Sequence, residues 1–331
     1  MKATAKAHPI QGLVKYHGLK QNDPRIPYHD SISVCTAPTH TTTTVEWQPD
    51  AAEDAFYIDG EEVEGHAEDR IQLVVDHVRE LAGIDHPIRF ESVNSFPSNI
   101  GFGSSSSGFA AAALALTEAA GLDFSRQEIS AVARRGSLSA ARSVTGAYSQ
   151  LFAGLNDEDC ISRRLPTGTG DDGFHPETDL RTIAVHVPAY KQTERAHEEA
   201  EESHMFQARL AHIHEQLGEM RDALRAGSFD RIFELAEHDS LSLTAATMTG
   251  PSGWVYWQPE TIAVFNVVRE LRQEEDVPVY FSTDTGASVY VNTRKGYEEQ
   301  VEERIAEIGV DTEIWSVGGP AEVLGPSDAL F

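Results

Sequence analysis

The stretch at residues 92–116, SVNSFPSNIGFGSSSSGFAAAALAL, constrains this chain most, because a glycine- and serine-rich loop runs straight into an alanine-rich helix. Gly101, Gly103 and Gly108 let backbone amides approach a ligand closely, and Ser104, Ser105, Ser106 and Ser107 add hydroxyls beside them. The unpaired N–H groups and positive dipole end of the helix face the same point. An anion suits such a loop, and phosphate is the expected one. The residues do not spell the better-known phosphate loops. No Lys-Ser/Thr pair closes the loop, its glycines do not form GxGxxG, and no βαβ pattern surrounds it. Residues 110–116 continue as strong helix formers, which separates the stretch from a flexible serine linker.

Three further constellations carry chemistry. Residues 12–20, GLVKYHGLK, set Lys15 among aromatics and glycines in a chain with six lysines. Residues 133–146, ARRGSLSAARSVTG, bring the hydroxyls of Ser137 and Ser139 and the fork of Arg142 toward one anion from a helix start. Residues 277–291 read as strand, tight turn and strand, with Asp284 and Gly286 at the turn, where an aspartate is usually a turn former. Around them, apolar periodicity predicts strands at 2–6, 31–34, 41–47, 89–93, 181–187 and 312–316. Helices are predicted at 66–82 (stripe Ile71, Val74, Val75, Val78, Leu81), 125–134 (cap Ser125, with Glu128) and 197–224 (stripe Met205, Leu210, Ile213, Leu217, Met220). Three more are predicted at 229–247, 259–272 and 297–308. A Gly/Asp-rich stretch at 165–174 marks the junction between domains 1–175 and 176–331, each of mixed α+β class rather than alternating βαβ.

In this order the motifs resemble the galactokinase, homoserine kinase, mevalonate kinase and phosphomevalonate kinase (GHMP) superfamily, and within it the mevalonate diphosphate decarboxylase family. Ser92, Asn94, Phe96, Pro97, Gly101, Ser104, Ser105, Gly108 and Phe109 fall on its nucleotide loop. Lys15, Tyr16, Gly18, Ser31 and Ser33 fall on its N-terminal pattern, and Asp239, Ser240 and Met248 on its Met-x-Asp-Ser…Met segment. Asp284 stands where the family has Asp-Ala-Gly-Pro-Asn. The resemblance implies a two-domain GHMP-kinase fold, with a ribosomal protein S5 domain 2-like first domain and a ferredoxin-like second one, and a homodimer. It implies ATP held by Asn94, Gly101, Gly103, Ser104 to Ser107 and Gly108, with Mg²⁺ arriving on the nucleotide and Ser105 as a candidate ligand. Asp284, Lys15 and Arg142 become the catalytic residues, and Tyr16, Ser137, Ser139, Arg142, Lys20 and Arg70 hold substrate, although for Arg70 a surface salt bridge stays open.

The implied reaction is ATP-dependent decarboxylation in isoprenoid synthesis. Ile10 replaces an asparagine of the family pattern, His17 a tryptophan, Leu19 a lysine (with Lys20 one place late) and Leu138 a glycine. In the family the tyrosine and second lysine help hold the terminal phosphates, so the departures at Ile10, His17 and Leu19 bear on phosphate number, while Leu138 reshapes the pocket without removing a charged contact. Mevalonate 5-phosphate, giving isopentenyl phosphate, is favoured over mevalonate 5-diphosphate. A kinase that stops after phosphorylation and a catalytically dead metabolite-binding relative are the remaining readings.

Composition narrows the partners. The 331 residues carry 53 Asp plus Glu against 26 Lys plus Arg, a formal charge of −27, which disfavours nucleic acid. Acid excess with few lysines suits a protein dispersed in concentrated salt, where repulsion is screened within roughly 3 Å at 1 M. No apolar run reaches about 18 residues and no signal-peptide block opens the chain, so a cytoplasmic, membrane-free protein is expected. Cys35 and Cys160 form no framework and are expected in the core.

Overall fold

Strand alternation and long apolar helix stripes divide the described chain between two large sheets, beside a small two-stranded pair, Leu19–Gln21 with Ile26–Pro27. The computed structural model describes residues 1–331 except 23, 97–101, 190–196 and 198. The first sheet runs in the order Glu322–Val323, Lys2–Ala7, Thr41–Trp47, Ile88–Asn94, Ala55–Ile58 and Glu61–Glu62, antiparallel except for the pair Ala55–Ile58 and Ile88–Asn94. Its inward residues Ala5, Val45, Phe56 and Phe90 pack against helices His66–Ala82, Ser104–Ala120 and Arg126–Gly136. The alanines from Ala110 to Ala113 are buried, and their small side chains let the loop's helix lie close to the strands. Buried threonines on this sheet are paired: Thr4 with Thr44 at 2.9 Å and Thr43 with Ser92 at 2.7 Å.

A second sheet crosses from the first half of the chain into the second. Its order is Ser162–Arg164, Tyr148–Leu151, Ser31–Ala37, Asp311–Val317, Leu180–His186, Val289–Arg294 and Val279–Thr283, with Ile10–Val14 also paired to Ser31–Ala37. The crossing is the pair Thr36–Val317 and Ala37–Ser316. Gln11 adds a stitch, donating to Ser282 Oγ at 2.7 Å and to Asn292 Oδ1 at 3.0 Å. Two strand ends meet there: Ile10–Val14 delivers Lys15, and Val279–Thr283 delivers Asp284.

The α+β class holds, and so do most elements. Ser125 and Glu128 form the reciprocal capping box, and Cys35 and Cys160 are buried and free. Two stripes need correction. Leu81 is 45% exposed, because the buried members of its helix stop at Val78, before the Gly83 cap. The helix expected at 197–224 is Phe206–Ala226, preceded by a 3-10 turn at Glu199–Glu202. Its buried stripe is Phe206, Arg209, Ile213, Gln216, Leu217 and Met220, while Met205 is the N-cap residue and is exposed, and Leu210 is half-buried. An arginine takes a place on the buried face because its partner lies there.

The chain's last segment locks onto the first half. Ala147 N–H donates to Gly318 O at 2.9 Å and Ala321 N–H to Val144 O at 3.2 Å. Gly146 makes the approach possible: its φ is +73°, and a Cβ there would lie 2.1 Å from Pro320 N. Gly146→Ala is therefore expected to destabilise the protein by about 3 kcal/mol or more in denaturant unfolding, combining backbone strain with a clash against main chain. Gly218→Ala, in a helix interior with no atom within 4 Å of the added carbon, is expected to stabilise by up to about 1 kcal/mol.

Candidate active site

Lys15 leaves its strand buried at 6% exposure and turns into a set of opposite charges. Its Nζ lies 3.3 Å from Asp239 Oδ2 and 3.1 Å from Ser240 Oγ, and its backbone N–H donates to the same Asp239 oxygen at 2.9 Å. Arg209 closes the set, reaching Asp239 Oδ1 at 2.8 Å and Lys15 O at 2.7 Å. Burial alone would raise the Asp239 carboxyl, but Arg209, Lys15 and the Lys15 amide hold it below the ordinary carboxylate range. Burial pulls the Lys15 ammonium below the ordinary lysine range, opposed by Asp239 and then Asp284. Ser240 extends the set, since its Oγ also accepts from Thr283 N–H at 3.1 Å, one residue before Asp284.

Asp284 faces Lys15 across Gly12. Gly12 N–H donates to Asp284 Oδ1 at 3.3 Å, and Tyr290 Oη donates to Asp284 Oδ2 at 3.3 Å. A Cβ on Gly12 would stand 2.7 Å from Lys15 Cγ and 2.9 Å from Asp284 Oδ1. Only a glycine lets the two functional groups share this space.

Beside them lies a cationic recess. Arg142, in the last turn of helix Leu138–Thr145, is 3% exposed; one amino group donates to Ser31 Oγ, while Nε has no hydrogen-bond partner among the described residues. Burial lowers the guanidinium to about 10, opposed by Tyr16 and Asp284, so it stays charged at neutral pH with little protein compensation. That is the state of a group waiting for an anion. Tyr16 lies under it, 5.8 Å from ring centre to guanidinium, and stacks on His197 at 4.6 Å. Burial raises the Tyr16 phenol, opposed by the charges of Arg142, Arg25 and Arg70. Ser137 and Ser139 stand 2.8 Å apart at the start of the Arg142 helix. Arg70 donates to Gly136 O at 2.6 and 3.1 Å and lies over the Phe109 ring at 4.9 Å. Lys20 is exposed on the short strand Leu19–Gln21.

The glycine- and serine-rich loop separates into a brace and a face. Ser106 Oγ donates to Gly103 O at 2.6 Å and accepts from Ile10 N–H at 3.2 Å. Ser107 Oγ pairs with Thr41 Oγ1 at 2.6 Å, and Thr41 donates to Asn94 Oδ1 at 2.7 Å, while Asn94 Nδ2 reaches Asp59 at 3.1 Å. These three side chains hold the loop. Ser105 is exposed and Ser104 half-buried at a helix start whose N-cap, Gly103, has φ +76° and whose first turn carries no acid; Gly108 follows half-buried. Such a start fits a polyphosphate. Gly101, and Pro97 of the same motif, lie outside the described residues. Among the described residues no group of three His, Cys, Asp or Glu could hold a metal ion, and no helix is long and apolar enough to cross a membrane.

Residues 7–162 match the diphosphomevalonate decarboxylase-like N-terminal domain family. Over 331 residues the chain is 69% identical to the phosphomevalonate decarboxylase of Haloferax volcanii, with 100% of each chain covered. The chain belongs to the family of mevalonate-pathway decarboxylases. Solved structures agree with the family's fold. The crystal structure of mevalonate diphosphate decarboxylase from Staphylococcus aureus superposes with a TM-score of 0.91 at 29% identity, covering 98% of each chain. A complex of MDDEF with MVAPP, AMPPCP and magnesium superposes with a TM-score of 0.90 at 26% identity, covering 98% of this chain and 99% of that one.

Several residues of this candidate site carry no clear role in the sequence alone. Asp239 and Ser240 were visible only as part of a motif, and Gly12 only as a neighbour of Lys15. Arg209 did leave a signal: a cation three residues after Phe206 and four before Ile213 sits on the apolar stripe, where only a buried partner would keep it. Two variants test the geometry. Gly12→Ala is expected to lower kcat about 100-fold, the scale of a one-ångström misplacement, and to cost about 1–3 kcal/mol of stability by overpacking a buried site. Asp239→Asn is expected to cost about 3–5 kcal/mol of stability by leaving two buried cations uncompensated. Because the Asp239 carboxyl is lowered on folding, its contribution is present above the ordinary carboxylate pKa and lost as pH falls through the lowered value. Denaturant midpoints measured against pH should therefore fall on the acid side in the native protein and flatten in Asp239→Asn.

Proposed function

We propose that this chain is an ATP-dependent phosphomevalonate decarboxylase, converting mevalonate 5-phosphate and ATP to isopentenyl phosphate, ADP, phosphate and CO2. The observation that carries the reading is full-length identity of 69% to a protein of that name. A second observation supports the monophosphate. Leu19 and Leu138, which stand where the family pattern has a lysine and a glycine, belong with Tyr16 and Ile26 to one apolar cluster beside the cationic recess. A second phosphate placed against that wall would meet carbon, and an ion without a partner is costly to desolvate. The ATP analogue and magnesium of the MDDEF complex support the same cosubstrate here.

In this reading Arg142 grips the substrate carboxylate, and Tyr16, Ser137 and Ser139 hold the 5-phosphate with Arg70 behind them. Asp284 orients or deprotonates the tertiary hydroxyl, and Lys15 steadies the developing anionic oxygen. A tertiary hydroxyl leaves poorly until phosphorylated, which is what ATP supplies. Gly103, Ser104, Ser105 and Gly108 would receive its phosphates with Mg²⁺, Gly101 joining them and Asn94, Ser106 and Ser107 bracing the loop. After phosphate loss, cationic character at the former carbinol carbon draws the electrons of the C–CO2 bond, and the alkene forms. The domains are 1–175 and 176–331, and the working form is a cytoplasmic homodimer in concentrated salt, the last point supported by the charge of −27.

Product identity tests the proposal, with mevalonate 5-phosphate and 5-diphosphate offered separately in molar salt with ATP and Mg²⁺. Isopentenyl phosphate with CO2 release is expected, lost in Asp284→Asn and weakened when the salt is dialysed away. Turnover of the diphosphate alone would make the chain a diphosphomevalonate decarboxylase, and phosphorylated product without CO2 a kinase. Leu19→Lys is expected to raise kcat/KM for the diphosphate relative to the monophosphate about tenfold, the effect of one charge-assisted hydrogen bond.

A further inference from the structure

We propose that Tyr290 is a positioning residue that aims Asp284 and ties it to the glycine- and serine-rich loop. The inference rests on the reading of Asp284 given above. Tyr290 lies on strand Val289–Arg294, directly after the Asp284 turn, and is buried. Its hydroxyl has two acceptors for one proton, Asp284 Oδ2 at 3.3 Å and Ile10 O at 3.4 Å. Burial and the neighbouring Asp284 push the phenol well above its ordinary range, so it stays protonated and donates.

Both ends of this contact lead to the loop. Ile10, whose carbonyl accepts from Tyr290, gives its N–H to Ser106 in the first turn of the loop's helix at 3.2 Å. Phe102, in the loop itself, meets the Tyr290 ring edge-on at 5.2 Å and Trp315 at 4.9 Å, within one buried cluster. A shift of the loop against its phosphate therefore reaches Asp284 through one side chain, by a hydrogen bond and by packing. The Gly12 amide, Lys15, Arg142 and Tyr16 also act on Asp284, from the side of the cationic recess.

A core tyrosine with no such role would lose little on becoming phenylalanine, since the ring carries the packing. Tyr290→Phe is expected to keep the melting temperature and both KM values while lowering kcat about tenfold, the effect of one hydrogen bond to a carboxylate. The acid limb of its kcat/KM profile should move up by about one pH unit, because a carboxylate that loses a donor takes its proton more readily. An unchanged kcat and acid limb, or a kcat loss matched by a loss of melting temperature, would overturn the proposal. Phe102→Leu, which keeps the hydroxyl, is expected to lower kcat and raise KM for ATP together. No change there would overturn the link to the loop. If Asp284→Asn is inactive while Tyr290→Phe is normal, this inference alone fails. If Asp284→Asn turns over normally, the reading of Asp284 fails first.

Discussion

The buried ion set of Lys15, Asp239 and Arg209 is the constraint on which the rest of the site depends. Their side chains are 7%, 0% and 1% exposed, and each belongs to a different segment: the end of Ile10–Val14, helix Phe229–Met248 and helix Phe206–Ala226. Desolvating such charges is expensive, and an apolar trio of the same volume would often hold the segments as well. What apolar groups could not supply is a cation at a fixed place beside Asp284. The same bonds that offset the desolvation also set the position of Lys15, because Asp239 binds both its amide and its ammonium.

The loop's helix and the helix segment leading to Ser137 are packed as one body. Gly136, the last residue of its helix, would put a Cβ 2.1 Å from Phe109, so the loop's helix lies directly against the residue before Ser137. Arg70 covers this contact from outside. The start of the loop's helix and the hydroxyls of Ser137 and Ser139 thus hold a common frame, as the proposed transfer between two bound molecules would require.

Much of this was legible in the chain. The helix at 66–82, the capping box at Ser125 and the turn at Asp284 follow from local rules of spacing, capping and turn chemistry, and these interactions are local in the structure too. The positions of Lys15, Ser137, Ser139, Arg142 and Asp284 could be marked because each sits in a short motif. What could not be read is what joins them. Asp239 reaches Lys15 across 224 positions, and Gln11 reaches Ser282 across 271, so no window of sequence contains the pair. The four loop serines look equivalent in one dimension, yet a 3.6-residue helix turn buries Ser106 and Ser107 and leaves Ser105 exposed and Ser104 half-buried.

The strand Glu322–Val323 forms the edge of the first sheet by pairing with Ala5 and Lys6. During synthesis the first half of the chain therefore emerges with an open strand edge, and its docking groove at Gly146 stays empty until Pro320 arrives. The sheet that carries the loop's helix is completed last although it is made first. Its closure is a late, long-range step, of the kind that slows folding and exposes unpaired backbone to neighbours while the ribosome is still at work.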